Sequence, residues 1–190
     1  MIMRVGIGFR RLQRADFPLL ARWQAEPLVA RWWGPPPNAA ELEERYGPGI
    51  DGKDPTEVFV AEADGSPIGL IQRYRNLDEP DWESQVRMPD AASIDYYIGE
   101  AHLIGKGIGP QMIAAFVEEL FADYGEIASV TVGVLEANRP SWRALEKAGF
   151  VRLRSQHLES DEPWDRGPGY IYALSRRAPS QAASGIPGWP

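Results

Sequence analysis

The stretch SIDYYIGEAHLIGKGIGPQMIAAFVEELFADY, residues 93–124, decides how this chain is read. Ser93 to Ile98 is an aliphatic and aromatic run of strand length. It leads into Gly105-Lys106-Gly107-Ile108-Gly109-Pro110, and a helix follows over Gln111 to Tyr124, with Met112, Ala115, Phe116 and Leu120 on its apolar side. A strand entering a glycine-rich turn and then a helix suits a phosphate group. Glycine lets backbone N–H groups point at an anion, and the helix N-terminus adds its positive end. Pro110 fits the first turn, where its missing N–H would have no intrahelical partner. A dinucleotide fingerprint fails because Met112 stands where its third glycine belongs, and a P-loop fails for want of Lys-Ser/Thr after the last glycine. The plain alternative is a flexible strand-to-helix connection that holds no ligand.

Downstream, Ser129 to Leu135 reads as a strand and Pro140 to Ala148 as a helix closed by Gly149. Phe150 to His157 and Tyr170 to Leu174 are further strands. Upstream, Glu57 to Glu62 and Pro67 to Tyr74 form a hairpin turned at Asp64-Gly65. Phe9 to Leu12 is a short strand. Helices follow over Asp16 to Gln24, Leu28 to Trp33 and Ala39 to Tyr46, the last capped by Asn38 and stopped by Gly47-Pro48-Gly49. Asn76 to Ala92, polar and carrying Pro80 and Pro89, reads as a long excursion outside the core. No internal repeat is visible. This order predicts an α/β (α+β) chain around one mixed sheet. Residues 1–177 are expected to form one domain, with 178–190 a Pro/Gly/Ser-rich tail.

Composition narrows the function. The chain has 190 residues, 20 Lys plus Arg against 27 Asp plus Glu, a formal charge of −7 and no cysteine. Thiol nucleophiles, disulfides and cysteine-ligated metals are therefore excluded. The acidic balance argues against nucleic acid. The longest apolar run, Met112 to Val117, is far too short to span a bilayer, and Met1 to Phe9 has no signal-length apolar stretch. A soluble, cytoplasmic protein without membrane partners is expected. His102 and His157 have no ligand partner at helical or hairpin spacing, so no metal is expected.

Ile104-Gly105-Lys106-Gly107-Ile108-Gly109 before a helix and a strand, followed by Asn138-Arg139-Pro140-Ser141-Trp142-Arg143-Ala144-Leu145-Glu146-Lys147-Ala148-Gly149-Phe150, resembles the GCN5-related N-acetyltransferases (GNAT). Val29-Ala30-Arg31-Trp32-Trp33-Gly34, Gly65 to Gly69 with Ile71-Gln72-Arg73-Tyr74, and Ile94-Asp95 narrow the resemblance to the aminoglycoside 6′-N-acetyltransferases. It runs from about Leu12 to Arg154 and implies a central mixed, mostly antiparallel twisted sheet flanked by helices. It also implies acetyl-CoA as cosubstrate, with no metal, and a monomer or homodimer. The residues implied for acetyl-CoA are Tyr97, Ile98, Ile104, Gly105, Lys106, Gly107, Ile108, Gly109, Pro110, Asn138 and Ser141, although Ile104 replaces the Gln or Arg usual at the head of the glycine motif.

On the acceptor side the resemblance implies that Asp95 binds an incoming ammonium and helps remove its proton. Alternation puts Tyr97 on the same strand face as Asp95, and Ile94, Tyr96 and Ile98 on the other. Asp78, Glu79, Asp81, Glu83 and Asp90 would give an acidic lid for a polycationic substrate. Trp33 and Trp82 offer flat faces to sugar rings. Gln72, Tyr74 and Asp81 are further substrate-binding candidates, whereas Trp23 and Trp32 read as core. Two further positions depart from the family pattern. Leu145 stands where a tyrosine often protonates the departing CoA thiolate, and Gly133 where a substrate-contacting Asp is usual. Ser141, four residues before Leu145 on one helical face, is a candidate to position a water in its stead. Other readings of the same residues are acetylation of a siderophore lysine side chain, a polyamine or a protein amine, and a CoA- or drug-binding module with little turnover.

Overall fold

The computed structural model describes residues 5–176; the tail expected over 178–190 lies outside them. Seven strands form one sheet: β1 (Ile7–Arg11), β2 (Glu57–Ala63), β3 (Ser66–Arg75), β4 (Ala91–Ile98), β5 (Ser129–Leu135), β6 (Val151–Leu158) and β7 (Gly167–Ser175). Their order is β1-β2-β3-β4-β5-β7-β6, and every neighbouring pair is antiparallel except β4 with β5. Three helices, α1 (Phe17–Gln24), α2 (Pro27–Trp33) and α3 (Ala39–Ile50), cover one face, where Leu20, Trp23, Leu42 and Tyr46 pack on Val60, Leu70 and Tyr97. The other face is covered by α5 (Ile108–Asp123) and α6 (Arg139–Lys147), through Met112, Ile113, Phe116, Leu120 and Leu145 on Ile71, Ile94, Val130 and Val132. Between β3 and β4 lies a short α4 (Pro80–Val86).

Two expectations are corrected here. Helix α3 does not stop at Gly47-Pro48-Gly49 but carries Pro48 inside its last turn. A proline this near the C-terminus forfeits one backbone bond. Buried Leu42 and Tyr46 anchor the preceding turns, and Gly52 at φ 70° lies just beyond the end. The start matches the reading: Asn38 accepts from the Ala40 and Glu41 amides at 2.8 and 3.1 Å, and Glu41 returns a bond to the Asn38 amide. The second correction concerns Asn76 to Ala92, which is not an excursion outside the core. Helix α4 sets Val86, fully buried, against Leu158 and Ile171, with Trp82 beside them, and Asn76 is also fully buried. β4 accordingly begins at Ala91.

The β4–β5 pair positions everything that follows. Only Ala91 to Ser93 pair with Ser129 to Thr131; beyond that register the two parallel strands diverge. At the fork sits a buried polar knot. Ser93 Oγ donates to Asn76 Oδ1 (2.7 Å), accepts from Trp82 Nε1 (2.7 Å) and lies 2.7 Å from Thr131 Oγ1, which accepts from Asn76 Nδ2 at 3.2 Å. Buried polar groups are expensive unless all are partnered, and these are. The knot fixes where pairing ends. Trp82 occupies the space beside Gly133 on β5, and a Cβ on Gly133 would collide with its ring.

Candidate active site

A cleft of about 430 Å³ opens at this fork. It reaches Asp95 from the α2–α3 face and Tyr96, Asn138 and Ser141 from the α6 face, so it passes through the sheet. Neighbouring residues of a strand point to opposite faces, and here both are open because β5 has left β4. Gly99 donates to the Ile68 carbonyl (2.8 Å), and the β3–β4 register runs unbroken from Gly69–Ile98 to Gln72–Asp95. By antiparallel alternation the N–H groups of Tyr96 and Ile98 therefore face the gap.

Asp95 stands directly across from Gln72, whose amide donates to it at 2.9 Å. Burial pushes the Asp95 carboxyl above its ordinary range, against the opposing effects of Gln72, Arg45 and Tyr74. Tyr74, raised chiefly by burial and then by the Asp95 charge, keeps its proton. Of the expected acidic lid, Glu79 and Asp81 line the cleft; Asp78, Glu83 and Asp90 do not. Burial, and then Asp54, Asp95 and the neighbouring acids, hold Glu79 above the usual carboxylate range.

A second acidic wall, which the sequence reading missed, comes from the β6–β7 connection: Glu159, Asp161, Glu162 and Asp165 all line the cleft. Loss of water, and then the Asp95 charge, push Asp165 up to about 6. This connection is pinned by Trp164, whose ring lies where a Cβ on Gly34 would stand. Its signal was the run Glu159-Ser160-Asp161-Glu162-Pro163-Trp164-Asp165, which lay outside the recognised segments. Seven carboxylates thus face one lining cation, Arg45, whose guanidinium lies 5.4 Å from the Trp33 ring.

The tryptophans divide differently from the expectation. Trp33 and Trp82 line the cleft and Trp23 is core, but Trp32, read as core, also lines the cleft and is only half-buried. Tyr97 is 6% exposed, packs edge-on against Trp33 at 4.9 Å and is held among the α1–α3 side chains, so its side chain offers nothing to a cosubstrate. Leu145 is fully buried in the core. Tyr96, on the strand face opposite Asp95 as alternation predicts, lies with its hydroxyl 2.9 Å from Ser141 Oγ.

The glycine segment follows the end of β4. Gly105 and Gly107 have φ of 79° and 81°, conformations that disfavour a side chain. Gly107 is the N-cap of α5 and supplies no side-chain cap, so the first helical amides are left to another acceptor. A Cβ on Gly105 would meet nothing, so the loop surface is open. These features fit a diphosphate bound by main chain. Ile108 contributes only its backbone, because its side chain is buried. Asn138 caps α6, with Oδ1 3.4 Å from the Ser141 amide, and both residues line the cleft, whereas the glycine segment does not.

A split sheet with a glycine turn opening the helix beside it defines the acyltransferase class to which comparison with known proteins assigns this chain. The family model for the acetyltransferase (GNAT) domain matches residues 13–158, and the chain belongs to that family. The chain is 30% identical over 150 residues to the aminoglycoside N(6')-acetyltransferase type 1 of Klebsiella pneumoniae, covering 77% of this chain and 74% of that one. Among solved structures it is similar to the aminoglycoside acetyltransferase AAC(6')-Ib in complex with coenzyme A, with TM-score 0.77, 29% identity and coverage of 90% and 95%. The same enzyme with coenzyme A and kanamycin gives TM-score 0.77 and 28% identity, over 90% and 95% of the two chains. Among the described residues, no group of three or more His, Asp or Glu could hold a metal ion, and no helix is long and apolar enough to cross a membrane.

Proposed function

We propose that the chain, with residues 1–177 as its catalytic domain, acetylates the 6′-amine of an aminoglycoside in a ternary complex, in the cytoplasm. The observation that carries this reading is the cleft itself: Asp95 at a sheet fork, faced by Trp32, Trp33 and Trp82 and walled by carboxylates from two separate segments. An acceptor carrying several ammonium groups and sugar rings matches that lining.

Bound acetyl-CoA supplies an activated acetyl thioester. The open amides around Gly105 and Gly107 hold its diphosphate, with Ile104, Lys106, Gly109 and Pro110 shaping the turn. Asn138 and Ser141 flank the path toward the fork. The Ile98 N–H faces the gap and donates to the carbonyl oxygen as charge develops there. Asp95 binds the acceptor ammonium and takes its proton, directly or through water, because only the free amine is a nucleophile. Gln72 and Tyr74 orient Asp95. Glu79, Asp81 and Asp165 hold the remaining ammonium groups, and Trp33 and Trp82 face the rings.

Thiol release from acetyl-CoA tests the reading, with kanamycin and tobramycin set against spermidine and a lysine-type acceptor. The protein has no cysteine to add background. Release with the aminoglycosides at a kcat/KM at least about tenfold above the others is expected; preference for spermidine would move the acceptor to a polyamine. Thiol-free binding of acetyl-CoA with every acceptor would leave a binding module.

A further inference from the structure

The departing thiolate needs a proton, and buried Leu145 cannot give one. Ser141, one turn earlier on α6, is paired instead with Tyr96: their hydroxyl oxygens are 2.9 Å apart across the gap where β4 and β5 part. Tyr96 follows Asp95 on β4, so the two side chains point to opposite faces of the sheet. Both line the same cleft, which passes through it. In acyl transfer the nucleophile arrives on one side of the carbonyl and the leaving group departs on another. The strand therefore separates a base on the acceptor side from a hydroxyl on the α6 side.

We propose that Tyr96, backed by Ser141, is the proton donor to the leaving thiolate, in place of the residue that Leu145 cannot be. This rests on acetyl-CoA being the acyl donor, as in the proposed function. As the amine nitrogen bonds to the carbonyl carbon, the C–S bond breaks with its electron pair on sulfur. Tyr96 passes its phenolic proton to that sulfur and recovers one through Ser141 Oγ, which borders the cleft and is refilled from solvent. Burial raises the Tyr96 phenol above its ordinary range, opposed by the Ser141 hydrogen bond, so Tyr96 holds its proton through neutral pH and serves as a donor.

The test joins kinetics to a binding measurement. In Tyr96→Phe, kcat with acetyl-CoA should fall about 10- to 100-fold, the low end of general-acid help or just below it because a thiolate is already a good leaving group, while CoA affinity changes less than about twofold. With an aryl thioester donor, whose thiolate leaves without a proton, the variant and wild type should agree within about twofold. Independently of turnover, the thiol of bound CoA, titrated by its thiolate ultraviolet absorbance, should ionise about one pH unit higher in Tyr96→Phe than in wild type, because the donor to sulfur is gone. Ser141→Ala keeps Tyr96 and should show a smaller shift in the same direction. An unchanged thiol titration together with an unchanged kcat overturns the assignment. A Tyr96-dependent titration in a protein that refuses every aminoglycoside supports it and overturns the proposed acceptor alone.

Discussion

The two halves of the site are built from different materials. On the side proposed for the acyl donor, the glycine loop offers main-chain amides, two glycines at positive φ and an uncapped helix start. Side chains matter little there, since Ile108 faces the core and Ile104 replaces a polar residue at the head of the motif. On the side proposed for the acceptor almost everything is side chain: carboxylates and indoles from α2, α4, β4 and the β6–β7 connection, converging from residues 32 to 165. Backbone recognition suits a ligand part that never varies. A wall of side chains lets one fold accept different amines, and it changes whenever one contributing segment changes.

That contrast orders the expected effects of substitution. Asp95→Asn should be the most severe, lowering kcat about 100-fold or more with acetyl-CoA KM within about twofold, measured by steady-state thiol release. The acid limb of its wild-type pH–rate profile should lie above the ordinary aspartate range, because burial raises Asp95. An unchanged rate would remove Asp95 from proton transfer and leave the acceptor wall merely electrostatic. Gly107→Val forces a β-branched residue to φ 81°, at a strain of order 1–3 kcal/mol. It should raise acetyl-CoA KM about tenfold or more, with kcat at saturation within about threefold. If acceptor KM rose instead, the two halves would not be separable.

Gly133→Val tests how the walls are locked together. Its side chain would collide with Trp82, and overpacking of this kind costs about 1–3 kcal/mol in urea denaturation. Combining it with Trp82→Ala should cost less than the sum of the single changes, because the collision is then gone. Full additivity would contradict the packing. The smallest effect belongs to Asp165→Asn. Asp165 titrates at about 6, ionised above that pH and neutral below it. Wild-type KM for a polycationic acceptor should therefore rise as pH falls from 7 to 5, and the variant should lose about a threefold part of that rise.

Legibility in the sequence follows the same division. The glycine segment, α5, α6 and the β2–β3 hairpin are written locally, in turn residues and short-range periodicity, and they were read correctly apart from their ends. Helix α4 is not so written, because its one buried residue is Val86, with Trp82 partly buried beside it, and its partners Leu158 and Ile171 lie far along the chain. The acidic connection after β6 carries no turn signal or periodicity that would mark it as a wall; Trp164 lying over Gly34 and the Gln85–Glu159 hydrogen bonds bring it to the cleft. Pro48 misled because a proline near a helix end costs less than one at its middle. Alternation alone puts Tyr96 on the strand face opposite Asp95 and so apart from the acceptor side. What sequence pattern alone could not reveal is that the neighbouring strand diverges two residues earlier in the register, after Ser93, and opens both faces.

The central claim is that the cleft presents one amine to Asp95 while its walls hold the others. The most direct measurement compares turnover of two aminoglycosides identical except for an amine or a hydroxyl at the 6′ carbon, with mass spectrometry of the products. Acetylation of the 6′-amine compound alone, with binding of the hydroxyl analogue as a competitive inhibitor, is the predicted result. Equal acetylation of both compounds would put the reacting amine elsewhere on the drug and contradict the account.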